Sequence, residues 1–225
     1  MLDGSGCERG THVKEKGIMI AIEGIDGSGK STHIKYIAKT IKEKYNKEVV
    51  ETREPGGTPM AEKLRSLVLA KGEEHISADA EVLMFNAARC IHVENLIKPA
   101  LEEGKIVVSD RFSDSTFAYQ CAHGADYDRI EKLTDWTLKG FVPNYTFFFF
   151  ISPADAKSRV DKRKAKDRFD EETDDKTFVE KTSTVFLRRM NEGKSKYIII
   201  DSSKTIEDTQ MQIDQVLENI FNNKD

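Results

Sequence analysis

The most constraining feature of this chain is IMIAIEGIDGSGKST, Ile18 to Thr32. An apolar run, Ile18 to Ile22, ends in a glycine-rich turn. That turn fits G-x-x-x-x-G-K-(S/T) at Gly24, Gly29, Lys30 and Ser31, and a helix-forming stretch, His33 to Tyr45, follows. A strand before and a helix after is the context a phosphate-binding loop requires. Its glycines let the backbone bend tightly and turn N–H groups onto an anion. The helix adds its positive end to the same place. Gly24, Ile25, Asp26, Gly27, Ser28, Gly29, Lys30, Ser31 and Thr32 are therefore expected to cradle the phosphates of a nucleotide, with Lys30 on the β- and γ-phosphates and the Ser31 hydroxyl on Mg²⁺.

The 225 residues suffice for one α/β domain with a full core. A formal net charge of −4 exerts no general pull on nucleic acid or an anionic membrane, so neither is an expected partner. Cys7, Cys90 and Cys121 form no metal-binding spacing and fit a reducing, cytoplasmic setting. The longest apolar run, Tyr145 to Ile151, is too short to span a bilayer. Residues 1–16 read as a disordered leader and residues 17–225 as a single domain.

Five apolar runs predict buried parallel strands: Ile18–Glu23, Glu48–Thr52, Lys105–Ser109, Tyr145–Ile151 and Tyr197–Asp201. Helices are predicted over Thr32–Tyr45, Ala78–Leu101, Asp126–Leu138, Pro153–Lys164, Phe178–Met190 and Ile206–Phe221. The alternation argues a five-stranded parallel sheet with helices on both faces. Ligands bind such sheets beyond the carboxyl ends of the strands, where Glu23, Arg53, Asp110 and Ser152 fall.

Four further segments carry chemistry. In TREPGGT, Thr52 to Thr58, Arg53 at a strand end suits a bidentate anion, or else pairs with Glu54 on the surface. In SDRFSDSTFAYQ, Ser109 to Gln120, Asp110 occupies the place of a carboxylate near Mg²⁺ and Arg111 adds a cation; the two could instead pair with each other. Phe85 and Arg89 share one helix face and could stack on and bond a nucleobase, although periodicity alone favours Phe85 as core and Arg89 as a surface cation. Residues 156–176 hold a basic block followed by an acidic one. They read as a solvated face or as a lid that brings arginines over a transferring group.

These motifs, in this order, resemble the thymidylate kinase family: EGIDGSGKST, TREPGGT, AEVLMFNAAR with IKPAL, DRFSDSTFAYQ, and a lid ending in DRFDEE. The resemblance runs from about Ile18 to the C-terminus. It implies the nucleoside monophosphate kinase type of P-loop fold, ATP and dTMP as substrates, Mg²⁺, and a homodimer with the Ala78–Leu101 helix as a candidate contact. By the same resemblance Arg53 and Arg111 hold the dTMP phosphate and Asp26 contacts the 3′-hydroxyl. Phe85 stacks on thymine, Arg89 bonds a thymine carbonyl, and Ser115 or Thr116 with Gln120 lines the base edge. Tyr119 crowds the 2′ position. Ser31 and Asp110 serve the metal. Family members carry a catalytic arginine in the P-loop or in the lid. With Gly27 after Asp26 the burden passes to the lid, the bacterial arrangement, with Arg163 first and Arg159 and Arg168 beside it. Lys30, Arg163, Arg111 and Asp26 are thus the implied catalytic set. The chain departs from the family at Asn86 and at Cys121-Ala122-His123-Gly124-Ala125, and His123 reads as a surface residue. The competing readings are a P-loop kinase of another nucleoside monophosphate or of a deoxynucleoside, and a nucleotide-dependent switch without an acceptor.

Overall fold

The computed structural model describes residues 16–70, 74–160 and 175–222. Five parallel strands, β1 (Ile18–Glu23), β2 (Val49–Arg53), β3 (Ile106–Asp110), β4 (Tyr145–Phe150) and β5 (Lys196–Asp201), form one sheet in the order β2-β3-β1-β4-β5. All five lie within one residue of their expected bounds. The register aligns Arg53 with Asp110 and Asp110 with Ile22, so β1, β2 and β3 end at one edge. The chain passes from β1 to β2 on one side and then from β3 across to β4 on the other, with β3 and β4 flanking β1. That reversal is where open α/β sheets bind ligands.

The helices are α1 (Lys30–Tyr45), α2 (Pro59–Leu69), α3 (Ala78–His92), α4 (Lys98–Glu102), α5 (Ser113–Ala122), α6 (Tyr127–Leu138), α7 (Pro153–Val160), α8 (Lys176–Glu192) and α9 (Ile206–Phe221). One sheet face packs Ile20, Ile22, Phe147, Phe149 and Ile200 against Ile34, Ile37 and Ile41 of α1 and Ile213 and Leu217 of α9. The other packs Met19, Ala21 and Val107 on Val93, Ile97, Leu101 and Leu138, and Phe148 on Phe178 and Phe186. Both faces are covered, as the unbroken apolar runs require. Burying each such side chain contributes about 1.5–3 kcal/mol.

The helices differ from the sequence reading in two places. The stretch Ala78–Leu101 is not one uniform helix, because a π-helical turn, Val93–Ile97, separates α3 from α4. Pro99 has no N–H to give the carbonyl four residues back and its ring crowds that carbonyl, so the ladder rearranges just before it. Second, α2 and α5 are helices that the sequence reading leaves unassigned. Thr58 caps α2, accepting from the Ala61 N–H, with Pro59 in the first turn. Every residue of α5 from Ser113 to Gln120 is buried, which erases the periodicity that marks a surface helix.

Candidate active site

The phosphate-binding loop joins β1 to α1 with Gly24, Gly27 and Gly29 at φ 141°, 82° and 87°, a region that suits glycine. A side chain at Gly27 would also meet the Ala156 carbonyl of α7, so α7 closes over the loop there. Lys30 is buried and its Nζ donates to the Gly24 and Ile25 carbonyls at 2.8 and 2.9 Å. Burial, then the neighbouring Arg111 charge, lowers its pKa to about 8, against the pull of Asp26, Asp110 and Glu23. Ser28 is buried within the loop, while Ser31 and Thr32 open the exposed first turn of α1.

Arg111 follows β3 in the left-handed region, φ 70°, unusual for a side-chain-bearing residue. The Arg111 N–H donates to the Ile22 carbonyl at 2.9 Å, which holds this conformation against the sheet. The guanidinium is thereby aimed at the loop. It donates to Asp26 Oδ1 at 2.6 Å, Ser115 Oγ at 2.8 Å and the Tyr119 hydroxyl at 3.2 Å. Tyr119 in turn donates to Asp26 Oδ2 at 2.9 Å. Burial opposes the Arg111 charge, but the Tyr119, Asp26, Asp110 and Glu23 oxygens more than restore it and raise its pKa. The pairing considered between Asp110 and Arg111 is thus replaced by Arg111 with Asp26. Asp110 Oδ1 is buried and accepts no hydrogen bond. A buried carboxylate oxygen left unmatched on the cavity that Ser31 also lines fits a hard cation that takes few protein ligands and completes its shell with phosphate and water.

Beneath these groups lies Glu23, 1% exposed. It accepts from the Phe112 and Ser115 N–H groups at 2.8 and 3.2 Å and from Ser115 Oγ at 2.6 Å. A carboxylate on the first turn of α5 satisfies orphan N–H groups and complements the helix dipole. Burial and the nearby Asp114 push Glu23 up to about 7, against the opposing effect of Arg111 and these hydrogen bonds. Ser115 links Glu23 to Arg111, so Glu23 buttresses the arginine from below.

At the far wall Arg89, 3% exposed, donates from Nε to Glu54 Oε2 at 2.6 Å and from Nη2 to Thr116 Oγ1 at 2.7 Å. It is not the surface cation that periodicity favoured. Glu54 is equally buried and also meets His92 Nδ1 at 3.0 Å, while His92 Nε2 lies 2.7 Å from Thr52 Oγ1. A side chain at Gly57 would collide with His92, which explains a glycine there. The surface pair considered between Arg53 and Glu54 does not form. Arg53 instead meets Glu62 of α2 at 3.0 Å on the exposed side. Sequence reasoning missed Glu54 and His92 because their value is in burial, which the local pattern TREPGG does not reveal.

These groups surround one cavity of about 340 Å³, lined by Asp26, Gly29, Lys30, Ser31, Arg53, Glu54, Pro55, Arg65, Leu69, Phe85, Arg89, Asp110, Arg111, Phe112, Ser115, Thr116, Tyr119 and Gln120. All the residues expected around the acceptor nucleotide line it, together with Lys30, Ser31 and Asp110. Phe85 is both largely buried and part of the wall, so core packing and ligand contact coexist. Arg159 is not at this cavity. Its Nη2 donates to the Ser202 carbonyl at 2.9 Å, and its Nη1 lies near Gly29. Arg163 and Arg168, with most of the segment read as a lid, lie outside the described residues, as does the leader apart from Lys16. His123 is not a free surface residue but is partly covered: its ring packs on Phe178 and it contacts the buried Glu81. Among the described residues no cluster of three or more His, Cys, Asp or Glu could hold a metal, and no helix is long and apolar enough to cross a membrane.

Comparison with known proteins agrees with this arrangement. The family model for thymidylate kinase matches residues 22–213. The thymidylate kinase of Hahella chejuensis is 40% identical over 204 residues, covering 90% of this chain and 97% of the relative. That of Burkholderia vietnamiensis is 39% identical over 206 residues, covering 90% and 98%. A crystal structure of thymidylate kinase from Ehrlichia chaffeensis superposes with a TM-score of 0.72 at 30% identity, over 91% of this chain and 99% of that one. On sequence, fold and the architecture of the cavity, the chain belongs to the thymidylate kinase family.

Proposed function

We propose that this chain transfers the γ-phosphoryl group of ATP to dTMP, giving ADP and dTDP, in the cavity at the carboxyl edge of β1, β2 and β3. The observation that carries this reading is the single continuous cavity joining Lys30 and Ser31 to Arg53, Phe85, Arg89 and Arg111. The nucleophile is a phosphate oxygen of dTMP. With a second pKa near ~6, a phosphate monoester is mostly dianionic at neutral pH, so no protein base need take a proton. Glu23 fits that absence, since its oxygens are spent on α5.

The chemical task is then to hold two polyanions in line and offset their repulsion. Lys30 would neutralise the donor phosphates. Arg53 and Arg111 would grip the acceptor phosphate. Asp26, oriented by Arg111 and Tyr119, would receive the sugar hydroxyl. Phe85 would stack on the base, with Arg89 and Gln120 at its edge. Ser31 and Asp110 would hold Mg²⁺, which would supply positive charge against the donor phosphates. Arg163, Arg159 and Arg168 are assigned to a lid over residues 156–176. Free Cys90 and Cys121 support a reducing, cytoplasmic setting. The assay is ADP release with each nucleoside monophosphate and deoxynucleoside in turn. Turnover led by dTMP is expected; a clear preference for another acceptor, or hydrolysis indifferent to acceptor, would reject the reading.

We also propose a homodimer through α2, α3 and α6. α3 packs between α2 and α6, and these helices expose Leu67, Leu83 and Trp136 at 62%, 59% and 75%. Exposed apolar side chains gathered on neighbouring helices, rather than scattered singly, mark an interface. Sedimentation should give twice the chain mass, falling toward one chain in a Leu83→Glu/Trp136→Glu variant. A monomeric parent chain would contradict the assignment.

A further inference from the structure

A buried hydrogen-bond relay at the base end of the cavity is not used by the phosphate chemistry. Gln120 of α5 lines the cavity and is 1% exposed. Its Nε2 donates to Glu81 Oε2, across on α3, at 3.1 Å. The same oxygen lies 3.0 Å from His123 Nδ1, at the C-cap of α5. An ionised carboxylate only accepts. Both neighbours must therefore donate: the imidazole carries a proton on Nδ1, and the amide turns its NH₂ toward Glu81. Turned the other way, the amide oxygen would face the carboxylate acceptor to acceptor. Glu81 is 3% exposed and the His123 ring rests on Phe178 with centroids 5.0 Å apart, so the pair is held in place. The end of the Gln120 amide left for a ligand is its carbonyl. Arg89 offers the opposite polarity on the same cavity, because its Nη1 is buried without a hydrogen-bond partner.

We propose that Glu81 and His123 are positioning residues that lock the Gln120 amide with its carbonyl toward the base, so that the site takes pyrimidines bearing an N3–H and rejects cytosine. This rests on the dTMP reading above. Thymine and uracil present an N3–H beside a carbonyl, which matches the Gln120 oxygen and the Arg89 Nη1–H. Cytosine presents a bare N3 beside an amino group, so both contacts become like against like. Sites built on such bonds reject mismatched analogues by about 10⁴–10⁵-fold. Without the lock the amide can turn and offer its NH₂ to the cytosine N3, recovering one contact.

The test is kcat and KM with dTMP, dUMP and dCMP for the parent chain, Glu81→Gln, His123→Phe and His123→Asn. Phenylalanine keeps the ring on Phe178 but removes the donor; asparagine keeps a donor near the Nδ1 position. The ratio of kcat/KM for dTMP over dCMP should fall about tenfold or more in Glu81→Gln and His123→Phe, chiefly through KM, and recover in His123→Asn. The dTMP to dUMP ratio should not move. Folded variants that keep the parent dTMP to dCMP ratio, or that lose dTMP and dCMP activity in equal proportion, would overturn the lock. Should Glu81→Gln fail to fold, the two His123 variants at the end of α5 decide. A parent chain inert toward dTMP would overturn the functional reading itself, whereas an active parent with unchanged ratios in the variants overturns only this inference.

Discussion

Replacing Lys30 with methionine is expected to lower kcat by about 10²–10³-fold, the loss typical of one preorganised charge-stabilising donor. The side chain is 6% exposed and held on the carbonyls of its own loop, so its position is set before any ligand arrives. Methionine retains the apolar stem and much of the volume, so the fold should survive. At a pKa near 8 the ammonium is mostly charged at neutral pH, and triphosphate beside it would favour that form further. The deficit belongs on kcat and on the ATP KM, with the dTMP dissociation constant little changed. Steady-state kinetics with circular dichroism and a melting curve check it. A folded variant with kcat within about tenfold of the parent would remove Lys30 from the chemistry.

Arg111→Ala is expected to reduce kcat/KM for dTMP by about 10³-fold. The Arg111 and Asp26 side chains are 19% and 20% exposed; removing one partner of such a largely desolvated, hydrogen-bonded charge pair costs about 2–5 kcal/mol, and each 1.4 kcal/mol is about a factor of ten. Three partners lose their donor together, namely Asp26, Ser115 and Tyr119. Asp26 would lose the guanidinium that orients it while keeping the Tyr119 hydroxyl, so acceptor placement suffers along with phosphate binding. Lysine at this position restores charge but not the forked geometry, so Arg111→Lys should recover only part of the loss. The ATP KM should move far less than the dTMP KM. Equal weakening of both would show that Arg111 holds the cavity together rather than the acceptor.

The centre of the sheet was legible because β1, β3 and β4 are buried on both faces and appear as unbroken apolar runs, whereas the partly exposed edge strands β2 and β5 show only the shorter runs Val49-Val50 and Tyr197 to Ile200 between turn residues. The phosphate loop was legible because its geometry depends on glycines at fixed spacing. The acceptor residues were named by family resemblance, and the cavity gathers them. What escaped was the support around them. Glu54 and His92 form a buried relay across loop and helix, and no local pattern distinguishes such a glutamate from a surface one. α5 escaped as a helix because Glu23, distant in sequence, supplies its N-terminal acceptor and because burial on all sides removes periodicity. His123 was read as exposed since α8, which covers it, arrives much later in the chain.

The central claim is that ATP and dTMP are held together and the phosphoryl group passes directly between them. The most direct test is the stereochemical course at phosphorus, followed with ATP made chiral at the γ-phosphate by oxygen isotopes. One in-line transfer gives dTDP with inverted configuration, and that is the expected result. Retention would mean that the group first rests on a residue of the protein, and would contradict an account in which fixed cations alone bring two nucleotides into contact.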